Sequence, residues 1–438
     1  MDLSALVADA RDYNDLVRIS RTVSTEIELA SVAHALDGEL VLFENIRDHL
    51  GWRVLTGVCA DRKRIARALG IESENLSRIL NQACENPSDP SISLDPECHQ
   101  VIYEDVDLDQ IPILRHVQED GGRYITSAVV VVEDPEHGPN LAYHRLLQLD
   151  SRRFTGRIVE NRGTHNAIRK TDGDLACAIC VGVPIQVNLA AAMSVPAGLD
   201  EMRIANSIAP LSVTKCISSD LRVPAQSESV LEGRITTALT AEGPFPDLTA
   251  TMDGVRQQPI IEIDLITRRW NPIYHALLPA GLEHKVLMGM PREPTIMSQV
   301  NQVADCIDVL VTPGGTSWLH AIVKINKQQA DDGLKAINAA FEGHRSLKHV
   351  VIVDSDIDIH DSSQVEWAIA TRFQADRDLM VMHDQPGSSL DPSGDHQAGR
   401  KSQTSKMGLD ATVPLDANID QFKRVAYPGV DLKEWLSE

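Results

Sequence analysis

Nowhere in this 438-residue chain does an apolar run approach the roughly 20 residues that cross a bilayer as a helix, so no membrane-spanning helix is expected. The opening MDLSALVADARDYND lacks the basic flank and apolar stretch of a secretory signal, which points to the cytoplasm. Net positive charge is also missing. The chain has 41 Lys and Arg against 63 Asp and Glu, a formal charge of −22, so long-range repulsion opposes nucleic acid or membrane insertion. Seven scattered cysteines, an odd count, suit a reducing compartment better than a disulfide framework. Cys177 and Cys180 form a CxxC, but no second CxxC exists to complete a zinc site. In the extended run DLACAICVGVPI their odd separation puts them on opposite faces, so buried, chemically idle thiols are expected.

The length suggests two or three domains. Residues 1–104 read as mixed α/β: a helix in the opening stretch, a strand at GELVLFENI and a helix opened near Asp61 by RKRIARALG. CENPSDPSISLDPECHQ reads as a linker or long surface loop. Residues 105–295 carry strand-like segments (RYITSAVVVVED, NLAYHRLLQL, FTGRIVEN, LACAICVGVP, PIIEIDLITRRW) and one helix at PAGLDEMRIANSIA, which suggests an antiparallel barrel or sandwich. Residues 296–438 read as an α/β layer: strand CIDVLVTP, a helix through WLHAIVKINKQQADDGLKAINAAFEG, strand HVVIVDSDIDIHD and a helix around SSQVEWAIATRF. SSLDPSGDHQAGRKSQTSKMGLDAT reads as a polar loop.

Five arginines crowd NLAYHRLLQLDSRRFTGRIVENRG. Arg152 and Arg153 follow Asp150 and Ser151 in turn composition and belong at a solvated hairpin tip. Arg145, Arg157 and Arg162 lie in or beside strand-like runs, where a charge needs a partner or a ligand; salt bridges and an anion site are both open. Three further residues stand out. Glu232, between SVL and Gly233, suits a metal ligand, a buried pair or a strand exit to water. Glu283, after PAGL, suits a partly desolvated proton donor or a first-turn helix carboxylate. Lys406 lies in TSKMGLDAT.

Taken in order, NLAYHR, RIV and RG, VLEG, NPIYHALLPAGLEH, QADRDLMVMHDQPGSSLDPS and SKMGLDAT resemble the UbiD family of decarboxylases that use prenylated FMN. The resemblance runs from about residue 100 onward. It implies an α+β protein with an N-terminal α/β domain, a central split β-barrel that binds flavin and a C-terminal α/β domain used in oligomerisation. It further implies Asn140 and Glu232 on manganese or magnesium, with potassium as a further candidate ion, bridging to the cofactor phosphate. Tyr143, His144, Arg145, Arg157, Ile158, Val159, Arg162, Gly163 and Lys406 would then line the flavin, Arg145 would also hold the substrate carboxylate or join the acid-base network, and Glu283 would deliver the proton. The implied reaction is reversible, non-oxidative decarboxylation of a small unsaturated or aromatic carboxylic acid, on a cofactor supplied by a flavin prenyltransferase, in a homodimer or homohexamer. A flavin oxidoreductase and a non-catalytic flavin-binding subunit are the alternatives. Some relatives have a third metal ligand, histidine, where this chain has Gly163; His165 is two residues away. Asn140 and Arg145, five apart, would face opposite sides of a regular strand unless a bulge intervenes.

Overall fold

The computed structural model describes residues 1–397 and 400–425. Three large sheets follow the three sequence regions, with a three-stranded and a two-stranded sheet beside them, and the chain crosses between them. The N-terminal sheet aligns Val17–Ile19, Val41–Phe43 and Arg53–Thr56, and its fourth strand, Ile273–His275, arrives from more than 200 residues downstream to pair in parallel with Arg53–Thr56. Helices Leu3–Asp12 and Arg62–Leu69 pack on it. Asp61 caps the second helix by accepting the amide of Lys63, and Gly70 ends it in a left-handed conformation.

The central sheet has nine antiparallel strands. Its path runs Tyr124–Ile125, Leu146–Gln148, Arg153–Gly156, Arg256–Arg268, Ser229–Glu242, Leu175–Val181, Val129–Asp134 and Gly138–Tyr143, with Val101–Tyr103 flanking Arg256–Arg268. The two edge strands never pair, so no barrel closes. They are nonetheless joined by very short links: residues 126–128 connect one edge to the far side of the sheet, and His144 with Arg145 connects the other. Links of two or three residues reach only about 10 Å, so the sheet must curl until its edges meet. The amide of His144 donates to the carbonyl of Ala128 at 3.1 Å across this seam. The expected split barrel is thus a curled open sheet. Alternate residues of its strands feed two cores: Val130, Val132, Cys177, Ile179 and Leu231 face one, and Val129, Val131, Ala178, Cys180 and Val230 face the other.

The C-terminal sheet orders Asp305–Val311, His320–Asn326, His349–Asp354, Gln403–Ala411 and Leu379–Pro386, with helix Asp332–Gly343 on one face and Ser362–Arg372 on the other. Two expectations change here. The sequence reading made 318–343 one helix, but His320–Asn326 is a strand; its alternating HAIVKIN buries both faces of a central position, where packing overrides helical propensity. SKMGLDAT, expected as loop, lies in Gln403–Ala411, a strand paired on both sides, in all but its last residue, Thr412. CENPSDPSISLDPECHQ is more ordered than a linker, with Ser91–Ile92 pairing in parallel with Ser212–Lys215. The end of the 296–438 region lies outside the described residues. No helix among the described residues is long and apolar enough to cross a membrane.

Candidate active site

Glu283 sits where the N-terminal sheet meets the helix Leu282–Gly289. Pro279–Gly281 turns the chain sharply, with Ala280 at φ +57°, and Asp37 caps the helix by accepting the amide of Leu282 with both carboxylate oxygens. Glu283 therefore occupies the first turn, where the helix dipole favours an anion. Its side chain is buried, 4% exposed, yet satisfied at both oxygens. Oε2 accepts the amide of Gly57 at 3.0 Å, and Oε1 accepts the amide of Cys59 at 2.9 Å. His275 Nε2, on the strand that crosses into this sheet, lies 2.8 Å from Oε1. Gly57 is required for this grip: its φ is +76° and a Cβ there would stand 2.0 Å from the Glu39 carbonyl oxygen. Near it, the Tyr143 hydroxyl donates to Asn188 Oδ1, and burial beside Cys59 and Glu283 pushes the phenol pKa upward.

The break between Gly138–Tyr143 and Leu146–Gln148 answers the spacing of Asn140 and Arg145: the chain turns at His144 instead of running on as one strand. Arg145 is gripped by three carboxylates. Nε and Nη2 meet Glu242 at 2.9 and 3.1 Å, Nη2 meets Asp253 at 2.8 Å, and Nη1 meets Asp247 at 3.4 Å. Burial lowers the imidazole of His284, next to Glu283, with Asp247 and Arg145 acting on it in opposite directions.

A third cluster surrounds Asn140. His144 Nδ1 lies 3.0 Å from the Arg157 carbonyl, which can only accept, so Nδ1 carries the proton and Nε2 accepts from Thr164 Oγ1 at 2.9 Å. Burial and the neighbouring Arg157 lower the imidazole to about 4 and keep it neutral. Thr164 Oγ1 in turn accepts from Asn140 Nδ2 at 3.3 Å. The chain of donors thereby leaves Asn140 Oδ1 as a free hard-oxygen donor. Gly163 packs directly on it, for a Cβ there would overlap Oδ1 at 1.7 Å. His165 Nδ1 accepts the Asn161 amide at 3.3 Å instead of turning to Asn140. Of the remaining expected flavin-lining residues, Ile158 is buried with its amide on Gln258 Oε1, Arg157 Nη1 donates to the Ile158 carbonyl, and Val159 and Arg162 are exposed. Arg152 and Arg153 do lie at the hairpin tip, paired with Asp105 and Asp150.

Comparison with known proteins settles the family. Residues 7–84, 91–282 and 285–411 match, in order, the N-terminal, Rift-related and C-terminal domains of 3-octaprenyl-4-hydroxybenzoate carboxy-lyase. The chain belongs to the UbiD family. It is similar to anhydromevalonate phosphate decarboxylase of Methanothermobacter thermautotrophicus, 39% identical over 92% of this chain and 95% of that protein. The UbiD-class enzyme HmfF from Pelotomaculum thermopropionicum, solved with FMN, superposes with a TM-score of 0.94 at 33% identity over the whole of both chains. An evolved dimeric form of HmfF, solved with prenylated FMN, superposes at 0.90 with 31% identity over 99% of this chain and all of that one. This UbiD-family chain is therefore a carboxy-lyase of a flavin-dependent class.

Strand register sets which way the two expected metal ligands, Asn140 and Glu232, leave the central sheet. The register runs Glu232 opposite Ala178, Ala178 opposite Val131 and Val131 opposite Leu141, whereas Asn140 aligns with Val132 and Cys177. By this register Asn140 and Glu232 start from opposite faces of the sheet. Glu232 is fully buried and does not exit to water. It closes the turn at 217–218, accepting the amides of Ile217 and Ser218 at 2.9 and 2.7 Å and the Ser218 hydroxyl at 2.6 Å. The carboxylate beside Asn140 is Glu201, on helix Glu201–Ile208, whose Oε2 accepts the Leu141 amide at 3.0 Å on the free edge of Gly138–Tyr143. Burial, with no cation near it, raises its pKa to about 7. Nothing local marked it, because in GLDEMRIAN it reads as an ordinary first-turn acid. Lys406 stands apart from all three clusters, donating to the Arg345 carbonyl at 2.7 Å with its ammonium over the Phe341 ring. Cys177 and Cys180 are buried on opposite faces, each thiol pushed upward by burial.

Proposed function

We propose that this chain removes carbon dioxide from an α,β-unsaturated carboxylic acid that carries a phosphate, using prenylated FMN, and that Glu283 protonates the carbon left behind. The observation that carries the chemistry is Glu283 itself, a buried carboxyl held at the junction of two domains by fixed donors. No ordinary side chain can accept the electron pair left by departing carbon dioxide, and the prenylated flavin supplies that electron sink when bound. The protein's share is position, dryness and one proton. His275 and the two amides fix the Glu283 carboxyl in one orientation. The Arg145 guanidinium is held flat by Glu242 and Asp253, and its Nη1, with only Asp247 at 3.4 Å, is the donor left to turn toward a substrate carboxylate. The phosphate-bearing acid is favoured by the 39% identity to anhydromevalonate phosphate decarboxylase across nearly the full length of both chains. Protein co-expressed with a flavin prenyltransferase should release carbon dioxide from anhydromevalonate phosphate and not from hydroxylated benzoic acids. The reverse preference would overturn the substrate.

Asn140 Oδ1 and the Glu201 carboxylate fit a manganese or magnesium ion, being one neutral and one anionic oxygen donor on the same strand edge. Glu201→Gln should lose the metal while keeping the fold. Glu232→Gln should keep the metal but lose about 1–3 kcal/mol of stability, because its amide nitrogen would confront the donors it now satisfies. Elemental analysis and thermal unfolding of the two variants check this; metal loss in Glu232→Gln alone would reverse the assignment.

A further inference from the structure

Buried arginines in this chain come with carboxylates. Arg62 has Glu293 at 2.9 Å, Arg64 has Asp15 at 2.9 Å, Arg269 has Glu228 at 3.0 Å and Arg372 has Asp354 at 2.7 Å, while Arg145 has three acids. Arg53, Arg115, Arg268 and Arg292 are partly buried without a carboxylate partner among the described residues, and of these four Arg292 alone donates to no backbone carbonyl. It is half-buried on the turn Met290–Arg292 that follows the Glu283 helix, and no carboxylate among the described residues pairs with it. Its Nη2 donates to Ser194 Oγ at 2.6 Å, its guanidinium lies 5.1 Å from the Trp318 ring centroid, and its buried Nε has no hydrogen-bond partner.

The charged group it does feel is another cation. Burial, with Arg162 adding to it, pulls Arg292 down to about 10, which still leaves it charged at neutral pH. Arg162 precedes helix Gly163–Lys170 without a side-chain capping bond; that helix brings Gly163 and Thr164 against Asn140, and Arg162 makes no ion pair among the described residues. The half-buried Arg292 guanidinium, without a counter-ion and within the field of the exposed Arg162, carries a desolvation and repulsion cost that an anionic ligand relieves, in a chain of formal charge −22. The Trp318 ring fixes the plane of one guanidinium, which prepares its fork for a group with several oxygens.

We infer that Arg292 and Arg162 form the receptor for a phosphate monoester, with Arg292 the residue that selects it. The inference deepens the phosphorylated-acid reading above and rests on it for the identity of the substrate. Two phosphates have this chemistry, that of the acid and that of the flavin.

Three measurements on Arg292→Gln, Arg162→Gln and Arg292→Lys separate them: KM and kcat with anhydromevalonate phosphate and with its dephosphorylated acid, affinity for FMN against riboflavin, and inorganic phosphate as a competitor. If the substrate phosphate binds here, Arg292→Gln raises KM for the phosphorylated acid at least 10-fold, changes kcat little, leaves the dephosphorylated acid and the FMN-to-riboflavin ratio as they were, and Arg292→Lys recovers part of the loss. If the flavin phosphate binds here, FMN affinity falls at least 10-fold and riboflavin affinity is unchanged. Folded glutamine variants that alter neither preference overturn the receptor. Should the unmodified protein decarboxylate neither acid, the substrate reading fails, while FMN against riboflavin and phosphate competition still decide the site.

Discussion

Glu283→Gln should keep flavin and fold while turnover falls at least about 100-fold, the lower end of what a positioned general acid contributes. Glutamine has the size of the native side chain and one of its two acceptors, so it can still receive the Cys59 amide or His275; what it lacks is a transferable proton. Its nitrogen would face one backbone donor, so a modest loss of stability accompanies the kinetic one. The loss should fall on kcat, with KM close to that of the unmodified enzyme, since binding does not use the proton. Steady-state rates, with flavin absorbance as the loading control, check it. An unchanged kcat would take Glu283 out of the reaction.

Arg145→Met should cost about 3–5 kcal/mol of stability, more than any other single change considered, because it strands buried carboxylates instead of merely removing a contact. Glu242 is fully buried, Asp253 and Asp247 are only 15% and 22% exposed, and Arg145 bonds all three. Arg256 also pairs with Asp253 and would compensate one charge; Glu242 has no second cation among its described partners. Arg145→Lys keeps the charge but cannot reach all three acids from one ammonium, so it should fall between the two. Denaturant unfolding measures both. A methionine variant as stable as the parent would mean that the three acids take up protons at little cost.

The three-part α+β order was legible because periodicity and turn residues are local signals: VVVVED, LACAICV and IIEIDLI declare strands from their own composition. What stayed hidden is what tertiary contact decides. His320–Asn326 looks helical in isolation and becomes a strand because neighbours cover both its sides. Glu283 could be picked out from its turn and its apolar flank, but its three donors come from residues 57, 59 and 275 and leave no trace beside it. Glu232 drew attention as an acid in an apolar strand, yet strand parity, set by pairing partners, turns it away from Asn140. Glu201, the acid that does reach that strand edge, carries no local mark at all.

In the proposed reaction this chain exchanges carbon dioxide for a proton passed on by Glu283. Its most direct test is the mass of the product formed in deuterium oxide by protein carrying mature prenylated FMN. One deuterium at the former carboxylate carbon, formed at a rate that Glu283→Gln abolishes, is the expected result. Loaded protein that releases no carbon dioxide from any conjugated acid would contradict the claim.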